Sequence, residues 1–162
     1  MAKSNVTIDS SQVTNLFNSL NQETQKEIMM KGLKQGAKYL QEKTQQTLVR
    51  KFPKAQSTKG KANRTMYEGV TIKPIKVMTE VDVSIMSNYL NIFFEGGTDD
   101  RYRKVRYQYK KGKTRVSKDK KGGYTGKLTA LNFFADTRQQ EENNVIKTIE
   151  DEIGKQINKL VK

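Results

Sequence analysis

The chain contains no cysteine, no histidine and no tryptophan, and only two prolines in 162 residues. Each absence closes a class of chemistry. Without Cys there are no disulfides, thiolate metal sites or thiol nucleophiles. Without His there is no Ser–His or Cys–His relay and no imidazole ligand. An enzyme would have to be built from Asp, Glu, Lys and Ser alone, and no motif of that kind is present, so the expectation is a non-enzymatic protein with no cofactor. The lack of Cys fits a reducing compartment. The N-terminal residues Met1 to Val6 hold no apolar core of a signal peptide, and no apolar run approaches the roughly 18 residues a span requires. Neither export nor a membrane partner is expected.

Apolar residues are also scarce, at 34 %, with a mean hydropathy of -0.83. A chain of this length fits one domain, residues 1–162, with a modest core. Such a core leaves much of each element facing water or a partner, and self-association would help it.

What the chain has in excess is positive charge. The net charge is +14, and its distribution is uneven. Residues 99–127 hold twelve Lys and Arg against three Asp, a net of +9, which leaves only +5 for everything else. A local charge points to a local partner surface. The basic residues Arg101, Arg103, Lys104, Arg106, Lys110, Lys111, Lys113 and Arg115 alternate with Tyr102, Tyr107 and Tyr109. The pattern predicts a β-hairpin turning at Gly112. Ser117 to Gly126 reads as mobile. Lys and Arg neutralise phosphates while Tyr can stack on bases. The same residues also suit an acidic protein surface, and Tyr alternation is equally ordinary cross-strand packing. Nucleic acid, acidic protein and plain solvation all remain open at this point.

Elsewhere the periodicity is clear. Asp9 or Ser10 is placed to cap a short helix carrying Val13, Leu16, Phe17 and Leu20. A long helix follows over about 22–51, with the stripe Met29, Leu33, Ala37, Leu40, Thr44 and Leu48, ending at Pro53. Gly32 and Gly36, four apart, either admit a close neighbour or weaken the helix. Lys54 to Arg64 reads as a flexible loop. Val70 to Val77 and Val81 to Ile85 predict an antiparallel pair turning near Met78-Thr79, with Pro74 at an edge or bulge. Tyr89 to Phe94 is a short helix or buried strand ending at Gly96-Gly97. A last helix is predicted from Thr137, where Thr137 and Gln140 form a capping box, with the stripe Val145, Ile149, Ile153, Ile157 and Leu160 or Val161. Met30 and Ile146 flank these stripes as candidate subunit contacts. The fold class is α+β: a long N-terminal helix and a C-terminal helix on a small antiparallel sheet, with an extended basic hairpin inserted. Glu95, Asp99 and Asp100 lie within six residues and are the one candidate metal cluster, but no acidic ligands from a separate element support it. A tight turn is the simpler reading, and no metal is expected.

The order of these features resembles the head–tail joining or tail-completion (neck) proteins of long-tailed double-stranded DNA phages. The residues that carry the resemblance are Leu33-Gly36-Ala37 in the long helix, the strand Val81 to Ile85, Tyr89 with Phe93-Phe94-Glu95-Gly96-Gly97-Thr98, and Leu131-Asn132-Phe133-Phe134-Ala135 before the last helix. It spans roughly Val13 to Leu160 apart from the insert. The resemblance implies a homo-oligomeric ring, usually of six, between the head connector or adaptor proteins and the tail tube, around the channel that DNA crosses. The protein would reside in the virion neck, and in the host cytoplasm during assembly. Glu95, Gly97 and Thr98 would form a turn near a subunit contact, and Phe133 and Phe134 would seat the last helix. The chain has Ala135-Asp136 where the family often has Pro-Ala, and its insert is longer and more basic. Six such inserts would place a formal +54 around a channel, and many phosphate contacts bind tightly. A lumen of that kind would hold DNA and slow it, which shifts the balance toward docking on protein. The alternative function is a small basic nucleic-acid-binding module using the 99–127 hairpin.

Overall fold

The computed structural model describes residues 10–60, 63–75, 79–110 and 113–160. The element order is α1 (Ser10–Ser19), α2 (Gln22–Lys51), a 3-10 turn (Pro53–Gln56), β1 (Thr71–Ile75), β2 (Glu80–Ser84), α3 (Leu90–Gly96), β3 (Arg101–Lys110), β4 (Lys113–Gly126) and α4 (Phe133–Leu160). The α+β class is as expected. The strands form two separate two-stranded antiparallel sheets, β1-β2 and β3-β4.

Asn21 caps α2, its side chain accepting from the Thr24 N–H at 2.8 Å. At about 1.5 Å per residue α2 is roughly 45 Å long, and Pro53, which lacks an N–H, ends it. Its inner face keeps Ala37, Thr44 and Leu48 of the expected stripe but is otherwise shifted around the helix. Ile28, Gly32, Gly36, Ala37, Thr44, Gln45 and Leu48 are buried, whereas Met29 is 39 % exposed. The shift is made by the two glycines. A Cβ on Gly36 would lie 2.4 Å from Ile149 Cγ1, and one on Gly32 2.8 Å from Ile153 Cγ1 and 3.2 Å from the Ile149 carbonyl oxygen. Helix α4 therefore lies backbone-close on α2, and the glycines are the close-packing sites.

The core sits at the other end of α2, where Leu48, Ala55, Met66, Val70 and Phe133 are fully enclosed and Phe52, Val83, Phe94 and Leu131 pack around them. Lys54 to Arg64, expected as a flexible loop, is instead organised over its described residues. Ala55 is in the core, Lys59 bridges Thr65, and the buried Asn88 side chain donates to the Arg64 carbonyl at 2.8 Å. Asn91, also buried, donates to the carbonyls of Met66 and Ile85, both at 3.0 Å. Two side-chain amides on the α3 side thus satisfy backbone carbonyls that would otherwise be stranded. Gln41 and Gln45 of α2 do the same for Val70 and Tyr67.

β1 and β2 pair in the register Thr71↔Ser84 to Ile75↔Glu80, with Pro74 opposite Val81. Thr79 lies in the left-handed region at φ 53. Met78 and the Gly112 turn lie outside the described residues, as do the Asp9 cap and Val161. Ser10 is the first residue of α1, and Ile157 of the last stripe is fully buried while Leu160 is exposed.

Tyr39 on α2 donates to Glu141 on α4 at 2.8 Å. The hydrogen bond it donates to Glu141, then burial and the carboxylate's charge, raise the Tyr39 phenol above its ordinary value near 10. Hydrogen bonds from Asn144 and then Tyr39 hold Glu141 below its ordinary value near 4.5. A depressed carboxylate stabilises the fold above its unfolded pKa and loses this as pH falls through the folded one. A raised phenol stabilises below its unfolded pKa and loses this as pH rises through the folded one. The stability difference between wild type and Tyr39→Phe, measured by urea melts, should therefore be largest near neutrality and shrink at both extremes.

Candidate interaction hairpin and its base

The basic hairpin begins where α3 ends. Gly97, at φ 73, turns the chain so closely onto the returning segment that a Cβ there would lie 2.8 Å from the Leu128 carbonyl oxygen and 2.9 Å from the Ala130 nitrogen. No other residue fits both the angle and the space. Thr98 then holds Leu128 twice: its N–H donates to the Leu128 carbonyl, and its hydroxyl accepts from the Leu128 N–H, both at 3.0 Å. The Leu131 and Asn132 N–H groups donate to the Phe94 and Glu95 carbonyls.

Glu95 completes this clasp. Its two carboxylate oxygens accept from the N–H groups of Phe134 and Ala135, each at 2.9 Å. These are first-turn donors of α4, left unpaired by the helix itself, and a carboxylate also meets the positive end of the helix dipole. Helix α4 thus starts at Phe133 and not at Thr137. Thr137 is buried inside the helix, its hydroxyl donating to the Phe133 carbonyl at 2.7 Å, so the expected Thr137–Gln140 capping box does not exist. Asp136 forms an ion pair with Lys51 at the end of α2, and Lys51 also donates to the Leu131 carbonyl.

With both oxygens of Glu95 facing backbone N–H groups, it does not form a cluster with Asp99 and Asp100. Asp100 instead accepts from the Tyr124 hydroxyl at 3.2 Å. No group of three metal-ligating side chains lies together among the described residues.

Beyond the base, β3 and β4 run from Arg101↔Gly126 through Tyr102↔Tyr124, Lys104↔Lys121 and Arg106↔Val116 to Lys110↔Lys113. Ser117 to Gly126, expected as mobile, is strand. Its register drifts: from Lys104 to Arg106 β3 advances two residues while β4 advances five, a bulge that absorbs the excess. Ten residues of β3 at about 3.3 Å each make an arm roughly 33 Å long. Neither strand joins the β1-β2 sheet.

Arg101, Arg103, Lys104 and Arg106 are exposed on this arm. Lys110, Lys113 and Arg115 lie on its strands, and Lys111 is outside the described residues. Two features were not legible beforehand. The Tyr102 and Tyr124 rings pack 5.5 Å apart near the base, with 58 % of Tyr124 exposed. Next to it, α3 turns an apolar face outward: Tyr89, Ile92 and Phe93 are each nearly half exposed, with Met86, 69 % exposed, ahead of them. Phe93 also lines an open groove of about 870 Å³ running along Gly97, Thr98, Lys127 and Leu128. The spacing Tyr89, Ile92, Phe93 would have shown one helix face, but not that the face points outward. Among the described residues, no helix is long and apolar enough to cross a membrane.

No family model, curated protein or solved structure matches the chain.

Proposed function

We propose that this protein is a structural assembly subunit of a phage neck, forming a homo-oligomeric ring that joins the head connector to the tail tube, with the basic hairpin as its docking arm. The observation that carries the reading is the hairpin's isolation. A two-stranded ribbon without a core is marginal in water, and this one belongs to a segment, residues 99–127, with a net charge of +9, which repels itself when unpartnered. An anionic partner relieves that repulsion. The arm is nonetheless anchored firmly at its base by Gly97, Thr98 and Glu95, so it is built to be held out. The order of long helix, strand pair, short helix, arm and final helix supports the same reading, as does the outward apolar face of α3, which suits a protein contact.

In this reading the chain is not an enzyme and takes no cofactor, and it works in the virion neck after assembly in the host cytoplasm. Phage particles made without it should show DNA-filled heads and free tails by electron microscopy. Normally joined virions would overturn the assignment.

The exposed Tyr102–Tyr124 pair beside Arg103 and Lys104 favours a second reading, a nucleic-acid-binding ribbon in which rings stack on bases and cations meet phosphates. That reading predicts salt-dependent binding to DNA or RNA that is lost when Arg103, Lys104, Arg106, Lys110 and Lys111 are replaced by Ala. Undiminished binding would remove the arm from that role.

A further inference from the structure

We infer that the arm's partner is a second copy of this chain, and that it lies along the outer face of α4 in the neighbouring subunit. The inference rests on the assembly reading above and names the contact within it.

Charge first singles out α4. Residues 141–152 carry five carboxylates against one lysine, a net of −4 in a chain of +14. Glu141 is occupied by Tyr39 and Asn144, and Glu152 accepts from Gln156. Glu142, Glu150 and Asp151 remain exposed. Among the described residues the one ion pair is Lys51–Asp136, so none of these three carboxylates is paired. Between Glu142 and Glu150 sits Ile146, 48 % exposed, an apolar residue on an otherwise polar face.

The arm offers the complement. Strand alternation places Tyr102, Lys104 and Arg106 on one face, and the Tyr102–Tyr124 contact marks that face as bearing the ring pair. The repeats are commensurate. Alternate residues of a strand are about 6.7 Å apart, and residues four apart on a helix rise about 6 Å. Tyr102 over Ile146 therefore brings Lys104 over Glu150 or Glu142, according to the direction of the strand. A tyrosine on an isoleucine excludes water at the centre, and ion pairs flank it.

A contact of this kind joins two different surfaces, so it is heterologous, and repeated it closes a ring or runs on as a filament. It would also bury part of the +9 of each arm against carboxylates, away from any channel.

The absence of cysteine makes a direct test possible. A Tyr102→Cys preparation and an Ile146→Cys preparation are mixed at millimolar chain concentration and oxidised with copper phenanthroline. The expected product is a mixed disulfide dimer on a denaturing gel, formed at least about tenfold faster than with Gln35→Cys, an exposed site on α2. Adding Lys104→Glu and Arg106→Glu to the first partner should slow it by about tenfold, as should Glu142→Lys and Glu150→Lys in the second. Combining the two sets should restore it. Equal cross-linking to Gln35→Cys, or a loss the combination does not repair, overturns the inference. So does duplex DNA retained on the arm at physiological salt without an Ile146 cross-link. Joined virions lacking the chain would remove the neck reading while leaving the cross-link standing. Unjoined particles with no cross-link would do the reverse.

Discussion

Gly36→Leu should destabilise the subunit by about 2–3 kcal/mol, while Gly154→Ala, in the helix that α2 packs against, should stabilise it. Both residues are buried helix glycines, and propensity alone favours either change by up to about 1 kcal/mol. Space decides the sign. At Gly36 even a Cβ would stand 2.4 Å from Ile149 Cγ1 and 2.8 Å from Ile149 Cδ1. A leucine cannot be accommodated by turning the tip of a side chain, because Val145 Cγ1 closes the other side at 3.4 Å. The helices must separate, and Ile149 and Ile153 lose their seats along a long stretch of α2. Overpacking of this kind costs about 1–3 kcal/mol and occasionally more, which exceeds the propensity gain. At Gly154 nothing lies within 4 Å of the added carbon, so the gain is kept. In a chain of this size each kcal/mol moves the midpoint by roughly 2–4 °C. Thermal melts followed by circular dichroism should then show shifts of opposite sign. Equal shifts would mean that the α2–α4 distance is not set by these glycines.

The same pair shows what could be read in advance and what could not. The long helix was legible over about 22–51 because its period and its terminator, Pro53, are local signals; its Asn21 cap was not read. The β1-β2 pair was legible too, since Val81, Val83 and Ile85 alternate with charged or polar residues. The contact face of α2 was legible in part: Ala37, Thr44 and Leu48 of its stripe are buried, but the sequence leaves the glycine pair open between close packing and weakness. A hydrophobicity pattern ranks Met29 above Gly32, although it is the lack of a side chain at Gly32 and Gly36 that admits α4. Lys54 to Arg64 has almost no apolar content, and its order comes from Ala55 in the core and from the Asn88 amide, 24 residues beyond the carbonyl it satisfies. The basal half of the returning strand, Ser117 to Gly126, has no alternation to detect, because bulges break its period. For the candidate site, the basic residues and their hairpin were visible as charge and tyrosine spacing. The clasp that holds the arm was not, since each of its bonds spans about thirty residues or more.

That clasp supplies the second large effect. Glu95→Ala should lower stability by about 2–3 kcal/mol, and Glu95→Gln by less. The alanine leaves the Phe134 and Ala135 N–H groups without their acceptors at a part-buried helix start. Loss of a capping side chain costs about 0.5–2 kcal/mol, and loss of a charge at the positive helix end adds about 0.3–1 kcal/mol. Phe133, fully buried in the core, is the first residue of that helix, so loosening the turn also disturbs the one fully buried aromatic ring among the described residues. Glutamine keeps one acceptor oxygen for one of the two donors and gives up the charge, hence the intermediate value. The effect should also be local in a way that a plain core mutation is not. Hydrogen exchange should quicken at Phe134 and Ala135, and at Thr98 and Leu128, whose mutual bonds close the foot of the arm, while amides in the middle of α2 keep their protection relative to global unfolding. If exchange rises uniformly instead, Glu95 merely contributes stability. If it rises at the foot of the arm, the carboxylate is the element that sets how rigidly the arm is presented to its partner.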